Sequence, residues 1–398
     1  MHTRSFAKIG ALGLAGVLAL TACSSSKKKT GTGLTGGSTS AAASAAGGST
    51  VKIGFEGPLS GENAQLGINE VNAVQLAVDQ ANSANTFGFK VTLVKSDDVG
   101  DPAKAPAAAT TLQQDPAILG VIGPSFSGAT KAVGASYDAA NLVLISPSAT
   151  NPTLTTLGFK SFHRVVPPDS LEGKEAGDYL AKKAKKVFVV DDLSDYGKGA
   201  ADAVETELKA KTIPTDRQGV DAKTTDYSII ANQVKASGDD ALFYGGYDAQ
   251  AAQFAKALKA AAYTGITMTG NGGKSSKFTS GAGDAGDGWL FSCGCLDATV
   301  APQAKAFSDA YNAAFKTDPS TYSPEAFDAT NALLTAIKAA GASPTRATVF
   351  AAVNALDYKG ITTQIKFEPS GEVSAQVINL YKQDAGKIGL LGDINTQS

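Results

Sequence analysis

The fold is decided by the stretch VKIGFEGPLSG at residues 51–61. Its first five residues are rich in β-formers and predict a strand, and the glycines, proline and serine after them predict a turn. The residues Ile68, Val71, Val74 and Val78 then recur at spacings of three and four, which predicts a helix. A strand, a tight turn and a helix in this order form the first half of a βαβ unit.

The same alternation continues along the chain to about Leu391. Further strands are predicted near residues 89–94, 118–122, 142–145, 187–190, 241–244, 266–269, 289–292, 362–367 and 375–382. Further helices are predicted near residues 102–114, 128–140, 170–184, 198–210, 228–236, 249–262, 302–316, 324–340 and 345–355. This order is typical of an α/β fold with parallel sheets, and roughly 340 residues are too many for one core. We therefore expect two doubly wound, Rossmann-like lobes.

The first 22 residues resemble a bacterial lipoprotein signal peptide. Arg4 and Lys8 supply positive charge, and Ile9–Leu20 forms an apolar core of 12 residues. A membrane-spanning helix needs about 20. The run LTAC at residues 20–23 ends this segment, so we expect Cys23 to carry a diacylglyceryl group and to begin the mature protein. An ordinary signal peptide with a chance cysteine is the alternative.

Residues 23–50 predict a flexible linker between the lipid and the globular part. Apart from Cys23 and Leu34, the segment consists of Ser, Lys, Thr, Gly and Ala, which cannot bury enough apolar surface to fold. Its end-to-end distance should be about 30 Å. The expected location is therefore the extracytoplasmic side of the cell membrane, with the protein held there by its lipid.

The charge of the mature chain gives no basis for nucleic-acid binding. Removal of residues 1–22 takes Arg4 and Lys8 from the 35 basic residues and leaves 33, against 37 acidic ones, a net charge of −4. Nucleic-acid affinity depends on neutralising phosphates with basic side chains. No nucleic-acid partner is predicted.

Small polar loops follow several of the predicted strands. They lie at residues 57–61, 123–128, 146–150, 196–197 and 245–247. Ligands of open α/β sheets bind outside the carboxyl ends of the strands, and the N–H groups of the helices that begin there can hold a carboxylate. Such loops also serve as plain helix caps, but five of them with hydroxyls and two tyrosines favour a shared cleft.

These segments resemble the leucine/isoleucine/valine-binding proteins, which are type I periplasmic binding proteins of ABC importers. The resemblance covers Val51 to about Lys382. Its motifs are GPLSG at 57–61, SDD at 96–98, DP at 101–102, SPSATNP at 146–152, YGKG at 196–199 and YGGY at 244–247. The segment at 146–152 is the most specific of them.

The resemblance implies a type I periplasmic binding protein fold with two lobes joined by three hinge crossovers. The first lobe is expected to comprise residues 51–167 and 298–370, and the second residues 168–297 and 371–391, with a tail at 392–398. The crossovers are expected near residues 165–168, 296–301 and 368–373.

The resemblance also implies the ligand site. Ser127, Ser148 and Thr150 of the first lobe match the positions that take the ligand's carboxylate. Tyr196 and Tyr247 of the second lobe match those that cover it from the other side. Hydroxyl donors suit a carboxylate, and phenol rings combine apolar contact with a hydrogen bond.

The chain departs from the family pattern at two of the site positions. Gly272 occupies the position of the acid that pairs with the ligand's ammonium group, and Leu66 replaces an aromatic residue. An unpaired buried ammonium group costs several kcal/mol. Either another acid, such as Glu56 or Asp248, therefore replaces the missing one, or the ligand has no free amine.

The pair Cys293 and Cys295 predicts a disulfide, because the expected compartment is oxidising. Two thiols alone do not make a tetrahedral metal site. No metal is predicted there.

An enzymatic function is disfavoured. Residues 123–127 begin like a nucleophile elbow, but Ser127 stands where that motif needs glycine. His163, the single histidine after the signal peptide, is expected to be structural. The run GKS at 273–275 is similar to the end of a phosphate loop, but Met268 stands where that loop needs its first glycine, so no nucleotide or other cofactor is predicted.

We predict a monomeric, lipid-anchored solute-binding protein that delivers its ligand to the membrane permease of an ABC importer. The ligand should be a small carboxylate, with an aliphatic or branched-chain amino acid preferred, captured by hinge closure. An amide or an aromatic acid is the alternative ligand, and a ligand-sensing lipoprotein of the same fold is the alternative role.

Overall fold

A computed structural model describes residues 50–375 and 377–397. The predicted signal peptide 1–22, the lipidation site Cys23 and the linker as far as residue 49 lie outside these ranges. None of the helices within them is long and apolar enough to cross a bilayer.

Strands and helices alternate through most of the described chain. The strands are β1 (Thr50–Gly57), β2 (Lys90–Asp97), β3 (Ile118–Ile122), β4 (Val143–Ser146), β5 (Phe162–Arg164), β6 (Val187–Asp191), β7 (Thr215–Gly219), β8 (Ala241–Gly245), β9 (Ile266–Thr269), β10 (Leu290–Cys293), β11 (Asp357–Lys359), β12 (Gln364–Lys366), β13 (Asn379–Asp384) and β14 (Lys387–Asp393). The helices are α1 (Ala64–Ala84), α2 (Ala105–Gln113), α3 (Ser127–Ala139), α4 (Asp169–Ala181), α5 (Asp195–Ala210), α6 (Ser228–Ser237), α7 (Asp248–Ala260), α8 (Ser276–Ala282), α9 (Lys305–Phe315), α10 (Ser323–Ala339) and α11 (Arg346–Asn354).

The first sheet has the strand order β2-β1-β3-β4-β5, and all its strands are parallel. Every residue of β3 and of β4 is buried, as expected for parallel strands that are covered on both faces. Helices α1 and α10 pack together over this sheet, and their apolar residues share one core with β1 and β4.

The second sheet has the order β14-β13-β10-β9-β8-β6-β7. Its strands from β6 to β10 are parallel, and β13 and β14 add an antiparallel edge. Strands β7 and β14 are absent from the sequence prediction. The reason is visible in β7, whose residues TDRQG are all polar or small and at best half-buried at the sheet edge.

The predicted tail at residues 392–398 is wrong as far as the structure describes it. Strand β14 continues to Asp393, and Ile394 is buried in the core of the second sheet. The antiparallel pair formed with β13 carries this segment into the fold.

Within the described residues, the chain passes between the first and second sheets three times. It leaves the first sheet after β5, returns after β10 to form α9, α10 and α11, and enters the second sheet again at β13. A disulfide joins Cys293 and Cys295 where β10 ends, at the second passage. The hydroxyl of Tyr381 donates to the carbonyl oxygen of Cys295 (2.7 Å), so this passage is tied to β13, which follows the third.

Gly123 ends β3 and allows the loop behind it to approach β1. Its φ is +112°, and a Cβ atom there would lie 2.1 Å from the carbonyl oxygen of Glu56. Only glycine fits both conditions. The loop therefore turns sharply and places residues 125–127 at the carboxyl end of the first sheet.

Candidate ligand-binding cleft

A cavity lies where loops from the carboxyl ends of both sheets meet. Its lining combines the loops after β3 and β4, the start of α5, the segments before α7 and α10, and the loop after β9. The lining residues are Leu66, Ser125, Phe126, Ser127, Ser148, Tyr196, Tyr247, Asn271, Gly272 and Tyr322. The volume is about 10 Å³, the room of one water molecule. A larger ligand enters only if the walls move apart.

The first side of the cavity is a hydroxyl wall, by which we mean Ser127 and Ser148 with Thr150 behind them. Ser127 is the first residue of α3, and its Oγ accepts a hydrogen bond from the backbone N–H of Asn151 (3.1 Å). Ser148 Oγ donates to the carbonyl oxygen of Ser125 (2.7 Å). The two loops of this wall are thus bonded to each other.

Thr150 belongs to the hydroxyl wall but does not itself line the cavity. Its side chain is buried, and among the described residues its Oγ1 has no hydrogen-bond partner. A buried hydroxyl without a partner is costly, so this one is available to a ligand or to a rearranged neighbour.

Arg164 supports the turn that carries Thr150. It is fully buried, and its Nη1 donates to the carbonyl oxygens of Ala149 (3.0 Å) and Asn151 (2.9 Å). Its Nε donates to Glu372 (2.8 Å), which balances the guanidinium charge. The conformation of the turn is therefore fixed before any ligand binds.

The opposite side is a tyrosine wall formed by Tyr196 and Tyr247. The two ring centroids are 5.1 Å apart, and Tyr247 also stacks on Phe126 of the first side at 4.3 Å. Burial raises the pKa of both phenols well above the ordinary value, so both hydroxyls are neutral. The wall offers apolar faces with polar ends, and its contact with Phe126 closes the cleft.

Gly272 leaves room for the ring of Tyr196. A Cβ atom at Gly272 would lie 2.4 Å from Cε1 of Tyr196, and the backbone N–H of Gly272 donates to the Tyr196 hydroxyl oxygen (2.9 Å). No acidic side chain fits at this position while the ring stays there. The ring of Tyr196 therefore occupies the space that an acidic side chain at position 272 would need.

The two acids proposed as replacements do not reach the cavity. Glu56 accepts a hydrogen bond from the hydroxyl of Tyr137, and Asp248 accepts one from Ser275. Neither is among the residues that line the cavity. Both are held by partners elsewhere, so the expectation that one of them replaces the family acid is wrong for this arrangement.

Asp169 does not line the cavity either, but it is the buried acid whose environment fits that role better, because its carboxylate is not taken up by a hydroxyl partner as those of Glu56 and Asp248 are. It begins α4, directly beneath the hydroxyl wall, and its N–H donates to the carbonyl oxygen of Thr150 (2.9 Å). Neither of its carboxylate oxygens makes a hydrogen bond of good geometry among the described residues, although the side chains of Thr150 and Asn271 are near enough to lower its pKa. Burial, and then the charge of Glu172, raise its pKa to about 8. Such a carboxyl group is neutral at pH 7 unless a cation approaches it.

Glu172 lies one turn along α4 and has a structural task. Its Oε1 accepts the N–H of Asn271 (3.0 Å) and the hydroxyl of Ser292 (2.9 Å), and its Oε2 accepts the side-chain amide of Asn271 (2.7 Å). Burial raises its pKa to about 7. This acid holds the loop that carries Gly272.

Sequence reasoning missed several lining residues. Ser125, Asn271 and Tyr322 are the polar ones, and Phe126 completes the loop before Ser127. Tyr322 precedes α10 with φ +68°, and its buried hydroxyl lacks a partner among the described residues. The available signal was its place just before the Ser-Pro start of a helix, where the chain returns to the cleft.

Other sites do not compete with the cleft. The ring nitrogens of His163 hydrogen-bond to the Ser161 carbonyl oxygen (3.1 Å) and to Asn354 (2.9 Å), away from the lining serines. Within residues 50–375 and 377–397, no three His, Cys, Asp or Glu side chains are grouped for a metal ion. A groove of about 560 Å³ runs between α3, α4 and α5, but it is open to solvent and shares no lining residue with the cavity.

Comparisons with known proteins agree with this architecture. A family model described as periplasmic binding protein matches residues 50–387. The Leu/Ile/Val-binding protein BraC3 of Rhizobium johnstonii is 31% identical over 345 residues, which are 85% of this chain and 93% of that protein.

Two solved structures are similar over nearly their whole length. A leucine binding protein from Thermotoga maritima has a TM-score of 0.80 at 22% identity, covering 85% of this chain and 97% of the other. A branched-chain amino acid transporter substrate binding protein from Streptococcus pneumoniae, determined with isoleucine, has a TM-score of 0.77 at 26% identity, covering 86% and 99%.

These proteins are solute-binding proteins and not enzymes, and their fold has two lobes. The predicted fold class and the predicted family are confirmed. The chain belongs to the periplasmic binding protein family, in the branch of the substrate-binding proteins of branched-chain amino acid ABC transporters.

Proposed function

We propose that this protein captures a small aliphatic α-amino acid outside the cytoplasm and delivers it to the permease of an ABC importer. The observation that carries the proposal is the meeting of Ser127 and Ser148 with Tyr196 and Tyr247 around one buried cavity. The named ligands of the relatives, leucine, isoleucine and valine, are aliphatic α-amino acids and support this class.

The ligand's carboxylate would bind at the hydroxyl wall. Ser127 and Ser148 line the cavity, and the free Oγ1 of Thr150 lies behind them. Hydrogen bonds from neutral donors to a carboxylate contribute about 1.5–3 kcal/mol each. The backbone bonds that fix this wall keep the ordering cost of binding low.

The ligand's ammonium group would be paired by Asp169. Burial raises the pKa of Tyr196, Tyr247 and Tyr322 most, followed by the charge of Glu172 or Asp192, and the charge of Asp169 contributes after these to all three. An ammonium group there would keep Asp169 ionised and would satisfy its two unpaired oxygens.

A carboxylate without an amine, such as an aromatic acid, is the second candidate ligand. The specific observation that favours it is Gly272, which leaves the second side of the cavity without an acid. A neutral Asp169 needs no cation at pH 7.

The lobe boundaries also remain our proposal. Residues 51–167 with 298–370 would form one lobe around the first sheet, and residues 168–297 with 371–397 the other around the second. The support is sheet membership: β1 to β5 lie in one sheet, and β6 to β10 with β13 and β14 lie in the other. Closure of these lobes about the three passages would trap the ligand.

The lipid anchor belongs to the same proposal and rests on the sequence LTAC at residues 20–23. The expected outcome is that the full chain sediments with membranes and that the Cys23→Ala variant does not. A Cys23→Ala variant that stays with the membrane fraction would contradict the lipid anchor.

A capture assay with the purified permease would test the importer role.

Thermal unfolding of the full chain with four probes tests the ligand class. L-leucine should stabilise the protein by about 2.7 kcal/mol at 100 times its dissociation constant. L-leucinamide, which lacks the carboxylate, should not. 4-Methylpentanoate and benzoate, which lack the amine, separate the two candidate ligands. Equal stabilisation by leucine and leucinamide would overturn the proposed carboxylate site.

A further inference from the structure

Glu70 lies directly behind the hydroxyl wall. It is in α1, fully buried, and its Oε2 accepts a hydrogen bond from the hydroxyl of Ser125. Its Oε1 has no hydrogen-bond partner among the described residues. Ser125 lines the cavity, and so does Ser148, whose hydroxyl also affects the pKa of Glu70. A buried carboxyl group is thus one hydroxyl away from the site proposed for a carboxylate ligand.

The serine hydroxyls cannot serve Glu70 and a ligand at once. Each hydroxyl carries a single hydrogen, so a hydrogen donated to an ionised Glu70 is not available to a ligand carboxylate. Ser148 Oγ instead donates to the Ser125 carbonyl oxygen (2.7 Å) in this structure. A neutral Glu70 leaves Ser148 free to turn toward a ligand, whereas an ionised Glu70 attracts both hydroxyls.

The charged groups around Glu70 make its ionised form less favourable still. Asp98, which follows β2, and Glu325 of α10 are the acids that act on it electrostatically. Glu56 of β1 lies near Asp98 and is bonded to Tyr137. Lys274, in the loop after β9, is a cation that acts on Glu325. An ionised Glu70 beside a bound carboxylate would add one more anion to this acidic group.

We propose that the cleft binds its carboxylate ligand together with one proton, and that Glu70 holds this proton behind Ser125 and Ser148. The inference rests on the proposed function, because it assumes a carboxylate at the hydroxyl wall. It makes a protonated Glu70 a requirement of the ligand-bound state.

The direction of the pH dependence follows from the environment of Glu70. Burial raises its pKa to about 8, so the group is neutral at pH 7 and ionises as the pH rises above 8. A bound anion raises this pKa further, and binding above pH 8 therefore takes up a proton. By linkage, affinity for a carboxylate is constant below about pH 7.5 and falls by up to about tenfold per pH unit above pH 8.

Glu56 provides a matched control. It is a buried glutamate on the same side of the cleft, and burial raises its pKa to about 8 as well. Its hydrogen-bond donor is Tyr137, and neither residue lines the cavity. A general effect of buried acids would appear in Glu56→Gln and in Glu70→Gln alike, whereas the proposed coupling would disappear only in Glu70→Gln.

Titration calorimetry of the full chain tests the proposal, with L-leucine and 4-methylpentanoate as probes. Measurements at pH 6.5, 7.5 and 9 in buffers of different ionisation enthalpy give both the affinity and the number of protons exchanged. At pH 9 Asp169 is already ionised, so a proton taken up with leucine there is assigned to Glu70.

With 4-methylpentanoate, the wild-type chain and Glu56→Gln should bind about tenfold more weakly at pH 9 than at pH 7.5 and take up close to one proton at pH 9. With L-leucine the loss should be only about twofold, because Asp169, whose pKa is about 8, ionises over the same range and pairs with the ammonium group. Glu70→Gln should show neither loss of affinity at pH 9 nor proton uptake there with either probe. A wild-type chain that binds either probe without proton uptake at pH 9 overturns the inference, even if Glu70→Gln fails to fold, and leaves the proposed function standing. A Glu70→Gln variant whose affinity and proton uptake depend on pH as in the wild type also overturns the inference and leaves the proposed function standing. A chain that binds neither probe at any pH overturns the proposed function, and the inference with it.

Discussion

The two walls of the cleft are built by different means. The hydroxyl wall is fixed by hydrogen bonds from backbone N–H groups to serine side chains. The N–H of Asn151 donates to Ser127 Oγ (3.1 Å), and the N–H of Ala149 donates to Ser146 Oγ (3.0 Å). The tyrosine wall is fixed by ring contacts, with one backbone hydrogen bond from Gly272 to Tyr196. One wall is polar and held by hydrogen bonds, whereas the other is largely apolar and held mainly by ring packing.

This difference assigns the walls separate tasks. A preformed polar wall recognises the group that every ligand of the class shares, at little ordering cost. An aromatic wall adapts to the part that varies and closes over it. Since Tyr247 stacks on Phe126 across the cleft, a ligand must replace this contact with its own.

The largest effect is expected at Asp169, the acid beneath the hydroxyl wall. Asp169→Asn removes the proposed partner of a buried ammonium group, so affinity for L-leucine should fall about 100-fold, near 3 kcal/mol. Affinity for 4-methylpentanoate should stay within about twofold. Titration calorimetry measures both, with Asp178→Asn on the same helix as the control. Equal losses for the two probes would mean that Asp169 acts through the turn at Thr150 and not on the amine.

The hydroxyl wall should show the next largest effect. Ser127→Ala removes one donor to the carboxylate and should weaken binding of every carboxylate probe by about 10- to 100-fold, the range for a hydrogen bond to a charged group. Ser136→Ala, an exposed serine on the same helix, should change nothing. Unchanged affinity in Ser127→Ala would remove this wall from the account.

The tyrosine wall should tolerate change better. Tyr196→Phe keeps the ring but leaves the N–H of Gly272 without its acceptor, so binding should weaken by about fivefold, near 1 kcal/mol. Tyr263→Phe, on the second-sheet side but outside the cavity lining, is the control. A loss as large as that of Ser127→Ala would show that the two walls contribute alike.

The smallest effect is expected for the ion pair between Lys131 of α3 and Asp195 of α5 (2.6 Å), which lies outside the cavity lining. Both side chains are partly exposed, and such pairs contribute little. Lys131→Ala should lower affinity less than fivefold, and the loss should shrink further in 0.5 M salt. Lys305→Ala, which breaks a pair within α9, should leave binding unchanged. A loss that is independent of salt would indicate a role other than this ion pair.

The sequence predicts the parts of this molecule that follow a strong local pattern. Strand β3 was predicted at its observed bounds, because a buried parallel strand is a short apolar run between turn residues. Strand β7 was not, because a polar edge strand has no such signal and forms only by pairing with β6.

The candidate site shows the same limit. Ser148, Tyr196 and Tyr247 stand in motifs and Ser127 in a polar loop after a predicted strand, and the structure brings them together. Asp169 and Tyr322 reach the same place from helix starts with no motif of their own, and only the packing of the two sheets shows that they are neighbours of the cleft. The expectation that Glu56 or Asp248 replaces the missing acid failed because sequence cannot reveal that each is already bonded elsewhere.

The most direct test is a crystal structure of the protein grown with L-leucine. The account predicts the carboxylate within hydrogen-bond distance of the Ser127 and Ser148 hydroxyls, the side chain between Tyr196 and Tyr247, and the ammonium group facing Asp169. Leucine bound in the groove beside α4 and α5, or a carboxylate turned away from both serines, would contradict it.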